Sequence, residues 1–164
     1  MSKIPPATPG LLFRYNYQRL GSRRAGTGFG DKVRPACLLL PLPAGTKMPG
    51  VLSGADGKPA DYVAVQDDVI ILLIQSDPPN DNQSGIELTP DLKRLCGLPT
   101  DRTSWLITSE FNIDSWPNAD MELVDHRTKS FVYGKLPGPT LGRVAKQFLE
   151  LRSTHRAVGI HRPA

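Results

Sequence analysis

Cysteine is scarce: Cys37 and Cys96 are the only two in 164 residues. That excludes a disulfide framework, and the two thiols read as small apolar side chains. Histidine is almost as thin, with His126, His155 and His161 scattered through polar or terminal segments. A histidine-dependent ribonuclease is therefore not expected, and with no His/Cys/Asp cluster neither a metal nor a cofactor is implied. No apolar run approaches the roughly 18 residues that span a bilayer. The opening Met1-Ser2-Lys3-Ile4-Pro5-Pro6 lacks the apolar stretch of a secretory leader. A cytoplasmic protein with reduced thiols, away from membranes, is the expectation.

What is abundant is punctuation. There are 15 glycines and 16 prolines, near a fifth of the chain, which excludes a long-helix bundle and favours short strands joined by loops. With 39% apolar and 22% charged residues, the chain can fill one core. Charge is unevenly spread. Residues 1–35 carry +6, residues 36–140 carry −6 and residues 141–164 carry +4. Basic ends around an acidic middle suggest an anionic partner, with nucleic-acid phosphates the natural candidate. The competing reading is a solvated basic loop.

Along the chain, residues 1–9 read as a Pro-rich tail and 10–152 as one domain. Strands are expected at Leu11–Tyr17, 33–40, 63–65, 69–74, 85–88, 104–109 and 131–136. Val69-Ile70-Ile71-Leu72-Leu73-Ile74 is a continuous apolar run, hence a central strand covered on both faces. Residues 41–60 read as an inserted loop or hairpin tip. Thr89, Pro90 and Gly97 mark the cap, first position and stop of a short helix held by Leu92, Leu95 and Cys96. A second helix is expected from Thr140, its apolar stripe formed by Leu141, Val144, Ala145, Phe148 and Leu149. Residues 153–164 read as a frayed basic tail. The order suggests a mainly β protein: a small, partly open barrel with one short internal helix and an amphipathic C-terminal helix. Gly26-x-Gly28-x-Gly30 has a phosphate-turn spacing, but no βαβ unit follows it, so a dinucleotide site is not indicated.

Three stretches resemble the MazF/PemK/Kid toxin family. Pro9-Gly10-Leu11-Leu12 matches its entry to the first strand. Gly30-Asp31-Lys32-Val33-Arg34-Pro35-Ala36-Cys37-Leu38 matches its Gly-x-x-Arg-Pro-Ala strand, with one extra residue. Leu73-Ile74-Gln75-Ser76 stands where the family has Pro-Ile-Thr-Ser. A strand at Ser109-Glu110-Phe111-Asn112 and a basic C-terminal helix complete the order. The resemblance implies an SH3-like barrel, a homodimer, and a metal-independent endoribonuclease that cuts single-stranded RNA and is neutralised by an antitoxin.

Cleavage of that kind uses the substrate's 2′-OH. It needs a base, a cation for the phosphorane charge and a proton source for the leaving oxygen. The family's catalytic Arg falls on Arg34, a fixed cation with bidentate reach to phosphate. The family's catalytic Thr falls on Gln75, which cannot accept the proton but can donate to a phosphate oxygen. Ser76 would face the opposite way unless the strand has ended there. Asp77 and Glu110 are candidate bases, or else surface carboxylates. Arg19, Arg23, Arg24, Phe29 and Lys32 are the candidate RNA contacts, with Tyr15 and Tyr17 either stacking on bases or packed in the core. Two further functions fit the same barrel. One is a catalytically degenerate RNA- or protein-binding module. The other is a CcdB-like gyrase poison, to which only Val158-Gly159-Ile160 gives a faint likeness.

Overall fold

The computed structural model of the chain describes residues 4–20, 32–53 and 58–162. Its path begins with β1 (Leu11–Tyr17) and β2 (Lys32–Pro41), then the hairpin strands β3 (Lys47–Leu52) and β4 (Pro59–Val63). Next come β5 (Asp68–Gln75), β6 (Gly85–Glu87), the short helix α1 (Pro90–Cys96), β7 (Trp105–Ile107) and β8 (Glu110–Ser115). β9 (Met121–Glu122), β10 (Val132–Lys135), helix α2 (Gly138–Ser153) and β11 (Val158–His161) finish it. Strands neighbour one another in the order β10-β1-β2-β5-β8-β11-β3-β4. β6 and β7 lie beside the end of β5, and β9 lies on β1. Only the pairings of β11 with β8 and with β3 are parallel among the described strands. The fold is mainly β, as the sequence implies. Its sheet has two free ends, β10 and β4, and is not closed into a barrel.

β5 explains the layering. Its DVIILLIQ is buried at every position, as a run without polar alternation requires. Side chains alternate along it and feed two cores. One face, with Leu12, Cys37 and Leu72, packs beneath Val144, Phe148 and Leu151 of α2. The other collects Phe13, Tyr15, Tyr17, Ala36, Leu38, Leu73 and Trp116. Tyr15 and Tyr17 are fully buried there, so neither ring is available to stack on a base.

The described residues of both expected tails, 4–9 and 153–162, pack on the sheet. Ile4 and Ala7 pack on the second core, and Trp116 Nε1 donates to the Pro5 carbonyl at 2.8 Å. At the other end, residues 153–164 are not a frayed tail throughout, because β11 is inserted between β8 and β3. Gly159 and Ile160 are buried in it, and a Cβ at Gly159 would lie 2.4 Å from the Phe111 ring. Basic neighbours disguise this strand, and its partners lie far away in sequence.

α1 follows its sequence signals. The Thr89 hydroxyl accepts from Leu92 N–H, Pro90 opens the helix and Gly97 closes it at φ 84°. Leu95, expected to anchor it, is 74% exposed, whereas Lys93 is buried. α2 starts earlier than expected. Its N-cap is Pro137 rather than Thr140, which is buried in the first turn, and Leu151 replaces the exposed Leu149 in the core. Where α1 ends, its backbone meets β10 directly. A Cβ at Gly134 would sit 2.2 Å from the Cys96 carbonyl oxygen. This contact sets both Tyr133 and the segment that leaves α1.

Candidate functional site

Arg34 and Gln75 are brought together by strand register. Ala36 pairs with Leu73 across β2 and β5. Two residues along each antiparallel strand, Arg34 and Gln75 reach the same end of the ladder and the same face. They border an open cleft of about 310 Å³. Lys32, Arg34 and Gln75 line it from the strands, Tyr133 from β10, and Asp101, Arg102, Thr103 and Ser104 from the segment between α1 and β7. Among the described residues, three cations against one carboxylate make it electropositive, and hydroxyls surround them. A larger hollow of about 540 Å³ holds Pro5, Pro6, Pro41 and Trp116 beside Asp67 and Asp68, with no cation among the described residues of its lining. Of the two, only the smaller suits a phosphate.

β5 stops at Gln75, so strand alternation ends there, and both Gln75 and Ser76 line the cleft. The Gln75 carboxamide is committed locally. Its Nε2 donates to the Asp77 carbonyl at 2.9 Å and to Gln83 Oε1 at 3.1 Å, while its Oε1 accepts from Gln83 Nε2 at 3.1 Å. Gln75 therefore clamps the loop that follows it. The wall opposite is tied to the same place, since Thr103 Oγ1 donates to the Ser76 carbonyl at 2.7 Å. Burial pushes the Tyr133 phenol above its usual value, which keeps it a hydrogen-bond donor at neutral pH.

The other expected residues fall elsewhere. Asp77 is exposed and does not line the cleft. Glu110, the first residue of β8, is buried, and its Oε2 accepts from the Leu20 N–H at 2.8 Å. Strand alternation puts it in line with Asn112 and Asp114, away from the cleft. Arg19 is half-buried and also outside the lining. Arg23, Arg24 and Phe29 lie outside the described residues. Sequence reasoning missed Asp101, Arg102, Thr103 and Ser104, which form no motif and are gathered only by the fold. Among the described residues, no group of three or more His, Cys, Asp or Glu side chains is placed to hold a metal, and no helix is long and apolar enough to cross a membrane.

A second polar cluster lies in the sheet. Arg162, just past β11, is 7% exposed. It donates to the Asn16 carbonyl at 2.7 Å, Asp120 Oδ2 at 2.9 Å, Tyr15 Oη at 3.3 Å and Asn112 Oδ1 at 3.4 Å. Tyr15 in turn donates to Asp114 Oδ2 at 2.7 Å. Burial pushes the Asp114 carboxyl up to about 6, with the Tyr15 hydrogen bond and Arg162 pulling the other way. The folded state thus holds this proton more tightly than the unfolded chain, whose carboxyl titrates near 3.8. Asp114 favours folding most below that pH, and the advantage is lost as pH rises through 6. The loss is on the order of 2–3 kcal/mol. Urea denaturation at pH 4 and 7.5 should show this slope in the wild type and its absence in Asp114→Asn; equal slopes would refute the assignment.

In comparisons with known proteins, no family model, curated protein or solved structure matches this chain.

Proposed function

We propose that the chain is a metal-independent endoribonuclease of the MazF/PemK kind, built on a variant of the SH3-like barrel, that acts on single-stranded RNA in the cleft beside Arg34. The observation that carries the reading is the convergence of Lys32, Arg34 and Arg102 on one open cleft at the end of β2 and β5. At about 310 Å³ the cleft is at the small end of ligand sites, so a single strand lies across it rather than inside it. In this reading Asp101, the carboxylate of the cleft lining, takes the proton from the 2′-OH. The O2′–P bond forms, Arg34 holds the charge on the non-bridging oxygens, and the P–O5′ bond breaks. The leaving oxygen takes a proton from water. The products are a 2′,3′-cyclic phosphate and a 5′-hydroxyl. Neutralisation by an antitoxin and a homodimeric state go with the same proposal.

A second reading has its own observation. Gln75 stands where the family has its Thr, and both ends of its carboxamide are spent on the loop after β5. On that view the cleft holds RNA without cutting it. Incubating the purified protein with a long mixed-sequence RNA in EDTA separates the two. The nuclease reading expects fragments with 5′-hydroxyl ends. Intact RNA bound in a salt-sensitive way would leave the binding module, and intact unbound RNA would remove both.

A further inference from the structure

Lys93 occupies a core position on α1 and is 1% exposed. Its ammonium donates to the Arg102 carbonyl and to Ser104 Oγ, the latter at 3.2 Å. Among the described residues no carboxylate forms an ion pair with it. Burying an ammonium without an opposite charge is costly, and an apolar side chain would fill the same space at no such cost. Both of its acceptors belong to the cleft wall. That wall has two other ties: Thr103 Oγ1 to the Ser76 carbonyl, and Leu88 N–H to the Ser104 carbonyl at 2.9 Å. The three fastenings bracket Arg102, whose own side chain is left exposed at the cleft.

We propose that Lys93 is a positioning residue: it fixes the backbone of residues 102–104 from below, so that the Arg102 guanidinium meets the phosphate backbone of a bound RNA strand. The inference rests on the RNA reading of the cleft for its ligand, but the fastening can be tested separately. Lys93 touches no substrate and acts through Arg102. A lysine suits this task because its three donors reach a carbonyl and a hydroxyl at once from a flexible stem.

The experiment has two arms. In the first, hydrogen exchange compares wild type with Lys93→Met. The Leu88 amide, which donates to the Ser104 carbonyl at 2.9 Å, should exchange at least about tenfold faster, with β2 and β5 unchanged, because the opening of residues 102–104 is local. Unchanged exchange at Leu88 overturns the proposal, whatever the protein binds. Should the Met variant fail to fold, Lys93→Gln, which keeps a donor, takes its place and should exchange at an intermediate rate.

In the second arm, binding is titrated over a range of salt with a single-stranded 2′-O-methyl oligonucleotide, which presents the phosphates and resists cleavage. Lys93→Met and Arg102→Ala should each weaken binding about tenfold and lower the salt slope by about 0.7, the loss of one phosphate contact. The double variant should bind no more weakly than Arg102→Ala alone. An unaltered salt slope in Lys93→Met, or losses that simply add, would overturn the positioning role. If the wild type binds no oligonucleotide, the RNA reading fails, and the exchange arm still decides the fastening.

Discussion

Arg34→Ala should slow RNA cleavage by about 10²–10³-fold with the fold intact. The guanidinium is half-buried at the open end of the β2–β5 ladder, bordering the cleft with Gln75. On the proposed reading Lys32 and Arg102 share ground-state binding, so KM should move little and kcat should carry most of the loss. Arg34→Lys keeps the charge but not the planar fork, and should recover only part of the rate. Single-turnover cleavage of a defined RNA gives the rates, and circular dichroism checks the fold. An Arg34→Ala protein that cuts at the wild-type rate would take Arg34 out of the chemistry. Loss of cutting together with loss of the β signal would make the residue structural instead.

Arg162→Met should destabilise the protein by about 3–5 kcal/mol. The substitution keeps the stem's volume and removes the donors from the Asn16 carbonyl, Asp120 and Asn112 at once. It also takes the guanidinium from above the Tyr15 ring, where it lies 5.6 Å from the centroid. Removing one partner of a buried charged network leaves the others desolvated and unsatisfied, which costs more than the network contributes when whole. A domain of this size has roughly 5–15 kcal/mol of stability in total. The melting temperature should therefore fall by on the order of 10 °C. The penalty should deepen above pH 6, because Arg162 is one of the groups that lower the Asp114 carboxyl. If residues 153–164 were a solvated tail, the same substitution would be silent. Thermal melts at pH 5 and 7.5 distinguish the two outcomes.

The parts of this molecule that were legible in the sequence are those in which one local rule governs. Val69–Ile74 has no polar alternation, so it had to be a strand covered on both faces. Thr89, Pro90 and Gly97 each satisfy a distinct terminal requirement of a helix, and α1 obeys all three. The parts that were hidden depend on partners distant in sequence. β11 is four residues long within a basic stretch, and only β8 and β3 make it a strand. Lys93 breaks the hydropathy rule. A charged residue in a core position invites the reading that Leu95 faces inward, and the helix is in fact rotated the other way. At the cleft, Arg34 and Gln75 could be paired by strand order. Asp101 and Arg102 could not, because their position depends on where α1 ends against Gly134 and on what holds the following loop. Gln75 borders the cleft, but its pairing with Gln83 spans a loop whose closure no short-range pattern encodes.

The central claim is that the substrate's own 2′-hydroxyl attacks a phosphate held at Arg34. It is tested most directly by offering the protein two strands of one sequence in EDTA, one all-ribose and one with deoxyribose at the position cut. The account predicts that both bind with similar affinity and salt dependence, and that only the ribose strand is broken at that position. Scission at the deoxyribose position would contradict it, as would failure to break either strand.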